Sequence, residues 1–418
     1  MRILNPRFFV AVAICSALVS NSCAQLQRVF GSGSDKIPEA VRLKGAVLIH
    51  TTQIFPSGPA GRVAQDYSLD QQLSVLFSNL EHILTAAGSS RSKVAHLNLY
   101  VVDIKDAAAV MSWVTSHYGD AVPSMSLIST PLPALNARVA ADAVAARGGT
   151  PQKLVQDQTF HLVKRLPGGL PGLQQASLLS EHAIYISGMA DTNVLPMATQ
   201  KTLEKLGETL KQLHLAKENI IQLKAFFQPM TQSGVVLEAI QKFFQDQAPP
   251  TVLIEWDSPQ PNPPIEIELI ADATSLPASP ERVAFSTPPG TTSTKVFSRV
   301  AEVDSDEVIY FSGLYGSRDA KATEQARELL HRIKGIAQRC DSDMEHLVKA
   351  TYFVCDNPAS EALNVVRPEF FNPARPPAAS KAKVIGVGLS EKSLVIDMIA
   401  VPKGPVKARD HLPSTPAR

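Results

Sequence analysis

The feature that most restricts the folds open to this chain is an internal repeat. Leu97-Asn98-Leu99-Tyr100-Val101-Val102-Asp103, Leu223-Lys224-Ala225-Phe226-Phe227-Gln228-Pro229 and Ala350-Thr351-Tyr352-Phe353-Val354-Cys355-Asp356 begin 126 and 127 residues apart. Each run follows an amphipathic segment, and each precedes a proline by about 20 residues: Pro123, Pro249 and Pro377. Each stretch then closes on an alternating, acid-bearing strand at 139–145, 265–271 and 394–400, carrying Asp142, Glu266 with Glu268, and Asp397. Landmarks recurring in one order at one period mark three homologous units. A chain of 418 residues has room for three domains of ordinary size.

Within a unit the periods are legible. Leu73, Leu76, Phe77, Leu80, Ile83 and Leu84 recur at helical spacing, with Gly88 as a stop just beyond. The matching stripes are Leu203, Leu206, Leu210 and Leu213, then Leu329, Leu330, Ile333 and Ile336. Ahead of the later stripes stand Ile184-Tyr185-Ile186-Ser187-Gly188 and Val308-Ile309-Tyr310-Phe311-Ser312-Gly313, β-branched and aromatic strands ending in Ser-Gly. A second helix follows the middle strand, seen best in Val236, Leu237, Ile240, Phe243 and Phe244. Strands, helix, strand, helix, strand is the order of an α+β unit with two helices over one sheet face. The Gly- and Pro-bearing stretch 146–158 and the Pro-, Ser- and Thr-rich stretch 274–294 read as linkers. Residues 404–418 read as a loose tail.

The N-terminus is a separate matter. Arg2 and Arg7 precede an apolar run at 8–19, and Ser22-Cys23-Ala24 offers small residues for cleavage, so residues 1–24 read as a secretory signal peptide cut near Ala24. A lipoprotein anchored through Cys23 is the less favoured reading, because Val19 sits one position further upstream than the acylation signal places its aliphatic residue. The expected location is therefore secreted or periplasmic. The run is too short to span a bilayer comfortably and none follows it, so no stable membrane insertion is expected. Removing the peptide leaves 38 basic against 39 acidic residues. That balance, with no basic block or basic aromatic groove, speaks against nucleic acid as a partner. Cys340 and Cys355 would flank a strand of about six residues, roughly 20 Å end to end, so two separate, mostly buried thiols are expected.

The third unit's 348–356 run, with Asn364 and Glu369-Phe370-Phe371 after it, resembles the YjgF/Rid family of enamine/imine deaminases. The Ser-Gly strands, Asn79-Leu80, Ala86-Ala87-Gly88 and the 265–271 strand resemble it too. The resemblance implies three tandem chorismate-mutase-like units, at 41–147, 158–273 and 294–403. Family members assemble as trimers with a small-molecule cleft at each interface. Three units in one chain would then close into an intramolecular pseudo-trimer, monomeric as a chain.

The resemblance also implies where chemistry should lie. The family's arginine follows a Pro-Ala and pairs with the carboxylate of a 2-imino acid, a task suited to the planar guanidinium fork. The matching positions here are Met125, Thr251 and Ala379, and none is an arginine. Glu266 matches the family glutamate thought to place the hydrolytic water, whereas Ala140 and Val395 hold its place in the other units. Glu266 is thus the candidate catalytic residue, as general base or water-orienting group. Glu268, Asp142, Asp397 and Arg375, the last as a substitute cation, are candidate ligand-binding residues. No cofactor is implied. The histidines are scattered and no Cys-x-x-Cys pair occurs, so no metal site is expected either. The expectation is a divergent family protein, without efficient 2-imino acid deaminase activity, that binds a small metabolite or partner at inter-unit clefts. The alternative is a deaminase or hydrolase acting on a non-carboxylate substrate through Glu266.

Overall fold

The computed structural model describes residues 24–31, 36–148, 166–245, 247–257, 263–315, 320–388 and 391–405. The proposed signal peptide up to Cys23, most of the stretch 146–158 and the tail beyond 405 lie outside these residues. The first unit runs β3 (Leu48–Thr51), α1 (Leu69–Ala86), β4 (Val94–Val101), α2 (Ala107–Tyr118), β5 (Ser124–Ser129) and β6 (Val139–Ala146). The second runs β8 (His182–Asp191), α3 (Leu195–Gln212), β9 (Ile220–Phe227), α4 (Ser233–Phe244), β10 (Thr251–Glu255) and β11 (Ile265–Asp272). The third runs β14 (Glu307–Phe311), α5 (Ala322–Arg339), β16 (Leu347–Val354), α6 (Asn357–Val366), β17 (Ala378–Lys383) and β19 (Leu394–Ala400), with two-residue strands β15 (Leu314–Tyr315) and β18 (Gly386–Val387).

The helical stripes do what their spacing requires. Leu73, Leu76, Phe77, Leu80, Ile83 and Leu84 are all buried, as are Leu203, Leu206 and Leu210, and Leu329, Leu330, Ile333 and Ile336. α1 starts sharply because Ser68 and Gln71 cap one another: the Gln71 N–H donates to Ser68 Oγ at 3.2 Å, and the Ser68 N–H to Gln71 Oε1 at 2.8 Å. α6 starts at Asp356, whose carboxylate accepts from the Ala359 N–H at 2.7 Å. Both helices of a unit cover one face of its sheet. Every residue of β4, β5, β6 and β16 is buried, so the opposite faces are covered as well. What covers them is the other units: Val144, Tyr185, Ile221, Tyr310 and Val348, drawn from all three, share one apolar cluster.

The opening strand of each unit is where the structure departs from a simple string of domains. β2 (Ala40–Lys44) is joined to β3 by three residues, yet it pairs with β14 of the third unit. β7 (Ala176–Leu179) pairs with β3 of the first unit, not with β8 beside it in sequence. β13 (Val300–Asp304) pairs with β8 of the second unit, not with β14. Each sheet is therefore completed by a strand from another unit. The strand orders are β1-β2-β14-β19-β16-β17, β10-β9-β11-β8-β13-β12 and β18-β5-β4-β6-β3-β7. Here β1 (Gln25–Val29) and β12 (Val283–Ser286) extend two of the sheets. The connections that would have closed hairpins instead meet one another, with the Gly45 N–H on Asp306 O at 2.7 Å and the Ser305 N–H on Glu181 O at 3.0 Å. β12 also corrects the reading of 274–294 as linker throughout. Its Val283 is buried and the strand pairs antiparallel with β13.

Cys340 caps the end of α5 and is buried; Cys355 follows β16 and is half-buried, and both are free thiols.

Candidate functional site

β5, β10 and β17 each begin just after the prolines that recur in the sequence, and each carries one of the positions where the family arginine was sought. In all three the main chain is tied to another unit. The Met125 N–H donates to Ser312 Oγ at 3.0 Å, and the Gly313 N–H returns a bond to Met125 O at 2.8 Å. The Ala379 N–H donates to Ser187 Oγ at 2.7 Å, and the Gly188 N–H to Ser380 Oγ at 3.1 Å. The Thr251 N–H donates to Thr52 Oγ1 at 3.3 Å, while the Gln53 N–H donates to Thr251 O at 3.1 Å. Gln53 then reaches further along β10, its Nε2 on Leu253 O and its Oε1 accepting from the Leu253 N–H, both at 3.2 Å. The serine of the Ser-Gly turn is thus an inter-unit clasp. Each hydroxyl also donates onward, Ser187 to Ser298 O and Ser312 to Pro38 O, both at 2.6 Å. Charged side chains are missing at 125, 251 and 379, and the main-chain N–H of each is satisfied by a hydroxyl of another unit.

Glu266 lies at the boundary between the second and third units. It lies on the face of β11 turned from the helices, against Gly188: a Cβ placed on Gly188 would stand 2.0 Å from Glu266 Oε1. The equivalent pair in the third unit is Gly313 facing Val395, at 2.8 Å by the same measure. In the first unit the glycine position is Gln53 and the acid position is the small Ala140. Side-chain volume is traded across this contact three times in three ways. Burial, with the charge of Glu268 next, pushes the Glu266 carboxyl up to about 7, against the opposing pull of Lys349, Ser380 and Arg299. Arg299, at the mouth of β13, is buried and holds Gly188 O at 2.6 Å, Ser187 O at 3.3 Å and Thr292 O at 3.2 Å. Lys381, two residues beyond Ala379, has its ammonium pulled down to about 8 by burial and then by Arg367.

The other candidate acids part from Glu266. Asp142, Glu268 and Asp397 come together in a second place, a polar pocket lined by the inward faces of β4, β9 and β16 and their neighbours. Asn98 faces Asp142, Lys224 faces Glu268 and Thr351 faces Asp397 across adjacent strands, so equivalent positions of all three units meet. One layer below are His96, Gln222 and Lys349. Lys349 Nζ is 2.6 Å from Glu268 Oε2, an ion pair between units with both side chains 7% exposed. His96 Nε2 is 3.6 Å from Asp397 Oδ1, again between units. Burial would raise the Asp397 carboxyl, but His96 beside it, with the charges of Lys224 and Lys349, outweighs that and the pKa falls below its usual value. Asp142 accepts from Tyr100 Oη at 2.5 Å and Asn98 Nδ2 at 3.0 Å, and burial still pushes its carboxyl up.

Arg375 corrects the expectation attached to it. Its Nη1 is 2.7 Å from Glu281 Oε2, its Nη2 donates to Val283 O at 2.9 Å, and its guanidinium lies over the Phe285 ring. It braces β12 and does not swing inward. Arg299, Lys224, Lys349, His96 and His50 are residues that sequence reasoning passed over. For Lys224 the signal was available, because Asn98, Lys224 and Thr351 occupy one polar column of the repeat, two positions after His96, Gln222 and Lys349. For Arg299 no motif announced it. Among the described residues no group of three or more His, Cys, Asp or Glu side chains could hold a metal ion, and no helix is long and apolar enough to cross a membrane.

A family model described as Endoribonuclease L-PSP matches the chain three times, over residues 38–147, 175–273 and 291–401. Among solved structures, the chain is similar to a member of the YjgF protein family from Neisseria meningitidis, 20% identical over 30% of this chain and 99% of that one, TM-score 0.23. It is also similar to a protein of the conserved Rid family from Yersinia pestis, 22% identical over 28% and 97%, TM-score 0.26. A third is a putative endoribonuclease L-PSP from Entamoeba histolytica, 19% identical over 29% and 99%, TM-score 0.23. No curated protein matches the chain.

Proposed function

We propose that this chain, which belongs to the Endoribonuclease L-PSP (YjgF/Rid) family in three tandem copies, is an exported, monomeric pseudo-trimer that does not hydrolyse 2-imino acids efficiently and binds a small metabolite between its second and third units. The observation that carries the loss of activity is the state of Met125, Thr251 and Ala379. Each lacks the guanidinium, and each has its main chain clasped by a hydroxyl from another unit. Losing a charge-assisted bidentate contact costs on the order of 2–3 kcal/mol, roughly two powers of ten in affinity. Closure of the three units within one chain is supported by the cyclic exchange of opening strands, each donated to a different unit. Export rests on the charged and apolar pattern of residues 1–24 alone, and N-terminal sequencing of the mature protein tests it by a start near Gln25.

The binding reading places the ligand at the Glu266 boundary, because among the described residues that boundary combines a carboxyl with Arg299 and Lys381. A second reading, hydrolysis, is favoured by one observation: a Glu266 carboxyl near 7 is suited to take and return a proton at neutral pH. The substrate would be uncharged where the family's is anionic. The test is a coupled assay in which an amino-acid oxidase generates 2-imino acids and semicarbazide traps whatever the protein leaves. The expected result is semicarbazone formation unaffected by the protein across several amino acids. Protein-dependent loss of semicarbazone, abolished in Glu266→Gln, would overturn the loss of deaminase activity.

A further inference from the structure

The polar pocket where the three inward faces meet is enclosed by charge and yet is not filled by it. Its lining includes three carboxylates, Asp142, Glu268 and Asp397, and two ammoniums, Lys224 and Lys349. Glu268 and Lys349 pair with each other, His96 serves Asp397, and Tyr100 with Asn98 serves Asp142. Lys224 is left over: among the described residues its ammonium makes no hydrogen bond and no ion pair within 4 Å, although it faces the acids.

Two further side chains are left over in the same place. His50 is 1% exposed, and neither Nδ1 nor Nε2 has a hydrogen-bond partner; its neighbour Gln222 gives Nε2 to Thr51 O instead. Burial holds the His50 ring neutral, its pKa lowered to about 4, so one nitrogen can donate and the other accept. Tyr310 is 2% exposed and stacks on the His96 ring, and its hydroxyl, beside Tyr185, makes no hydrogen bond of good geometry. Buried polar groups are as a rule hydrogen-bonded, and two unserved buried groups beside a half-buried ammonium that pairs with no acid point to an occupant.

We propose that this pocket is a binding site for a small uncharged molecule that both donates and accepts hydrogen bonds, held by Lys224, His50 and Tyr310. It is separate from the Glu266 boundary. The free space is about 50 Å³. A water centre takes on the order of 10–15 Å³ of such space, so the ligand has about three to five non-hydrogen atoms. Charge sets the class. An anion would sit among three carboxylates, a cation would sit against the Lys224 ammonium, and either would bring an unpaired charge into a buried site. A neutral amide-like group accepts from Lys224 and Tyr310 while donating to His50 or a carboxylate.

Three molecules of one shape test this on the full chain: formamide, formate and formamidinium, carrying no charge, one negative and one positive. Each has a single C–H whose saturation-transfer signal reports binding by NMR. The expected result is formamide bound at least tenfold more tightly than either ion. Tyr310→Phe, which keeps the ring and removes one hydrogen bond, should weaken it about tenfold. Lys224→Met should abolish it. Tightest binding by formate or by formamidinium overturns the proposal in favour of an anion or a cation site. Failure of all three to bind the folded wild-type chain overturns it in favour of ordered water alone. Binding of formamide that Tyr310→Phe leaves unchanged places it elsewhere and overturns the proposal too.

Discussion

Glu266→Gln isolates the physics of the inter-unit boundary. In the folded chain the Glu266 carboxyl is pushed up to about 7 by burial and by Glu268, from an ordinary value of 4.5. The folded state therefore holds this proton through a pH window in which the unfolded chain has released it. Stability from this group is fully present below about 4.5 and is lost as pH rises through 7. The gap between 4.5 and about 7, at roughly 1.4 kcal/mol per factor of ten in proton concentration, gives about 3 kcal/mol of destabilisation at pH 8 relative to pH 4. Glutamine has the shape of the protonated acid and cannot ionise. The variant should match the wild type in denaturant stability near pH 4.5 and exceed it by about 2–3 kcal/mol at pH 8. A carboxyl resonance titrating near 7 in glutamate-labelled protein, absent from the variant, should accompany this. A stability difference that does not change with pH would refute the reasoning. So would a variant less stable than wild type at pH 8, because it would mean that Arg299 and Lys349 hold the carboxylate ionised in spite of its burial.

Three further outcomes follow from the contacts between units. Lys349→Met leaves Glu268 charged and unpaired in the central pocket and should cost about 3–5 kcal/mol by denaturant titration; the double variant with Glu268→Leu should recover most of that. Gly188→Ala drives a methyl into Glu266, so its destabilisation should shrink sharply when Glu266→Ala is added, a coupling that a double-mutant cycle reads directly. Ser187→Ala and Ser312→Ala each leave a main-chain N–H at a unit boundary without its acceptor, and each should cost about 1–3 kcal/mol in denaturant stability.

The three-unit organisation, the α+β order and the helix faces were all legible in the sequence. Leu73 to Leu84 and Leu329 to Ile336 show why: a helix position is committed to a face by its own period, whatever packs there later. The same rule put Glu266 and Glu268 on one side of β11. What it could not supply was the partner on that side, because period 2 names a face and not what stands opposite. One layer along the strand separates a glutamate packed on Gly188 from one paired with Lys349, 81 residues away. His96 meets Asp397 by the same route, across the first and third units. Arg375 was misplaced for a related reason. Four residues of extended chain cover about 13 Å, enough to carry a side chain out of one site and onto Glu281. The opening strands are the extreme case. β2 and β3 look like a hairpin because three residues join them, but their hydrogen bonds go to β14 and β7. Local sequence determined that these segments are strands and which side each buries. Which strand each pairs with, and so which charges share a pocket, was decided only when three similar sheets competed for the same edges in three dimensions.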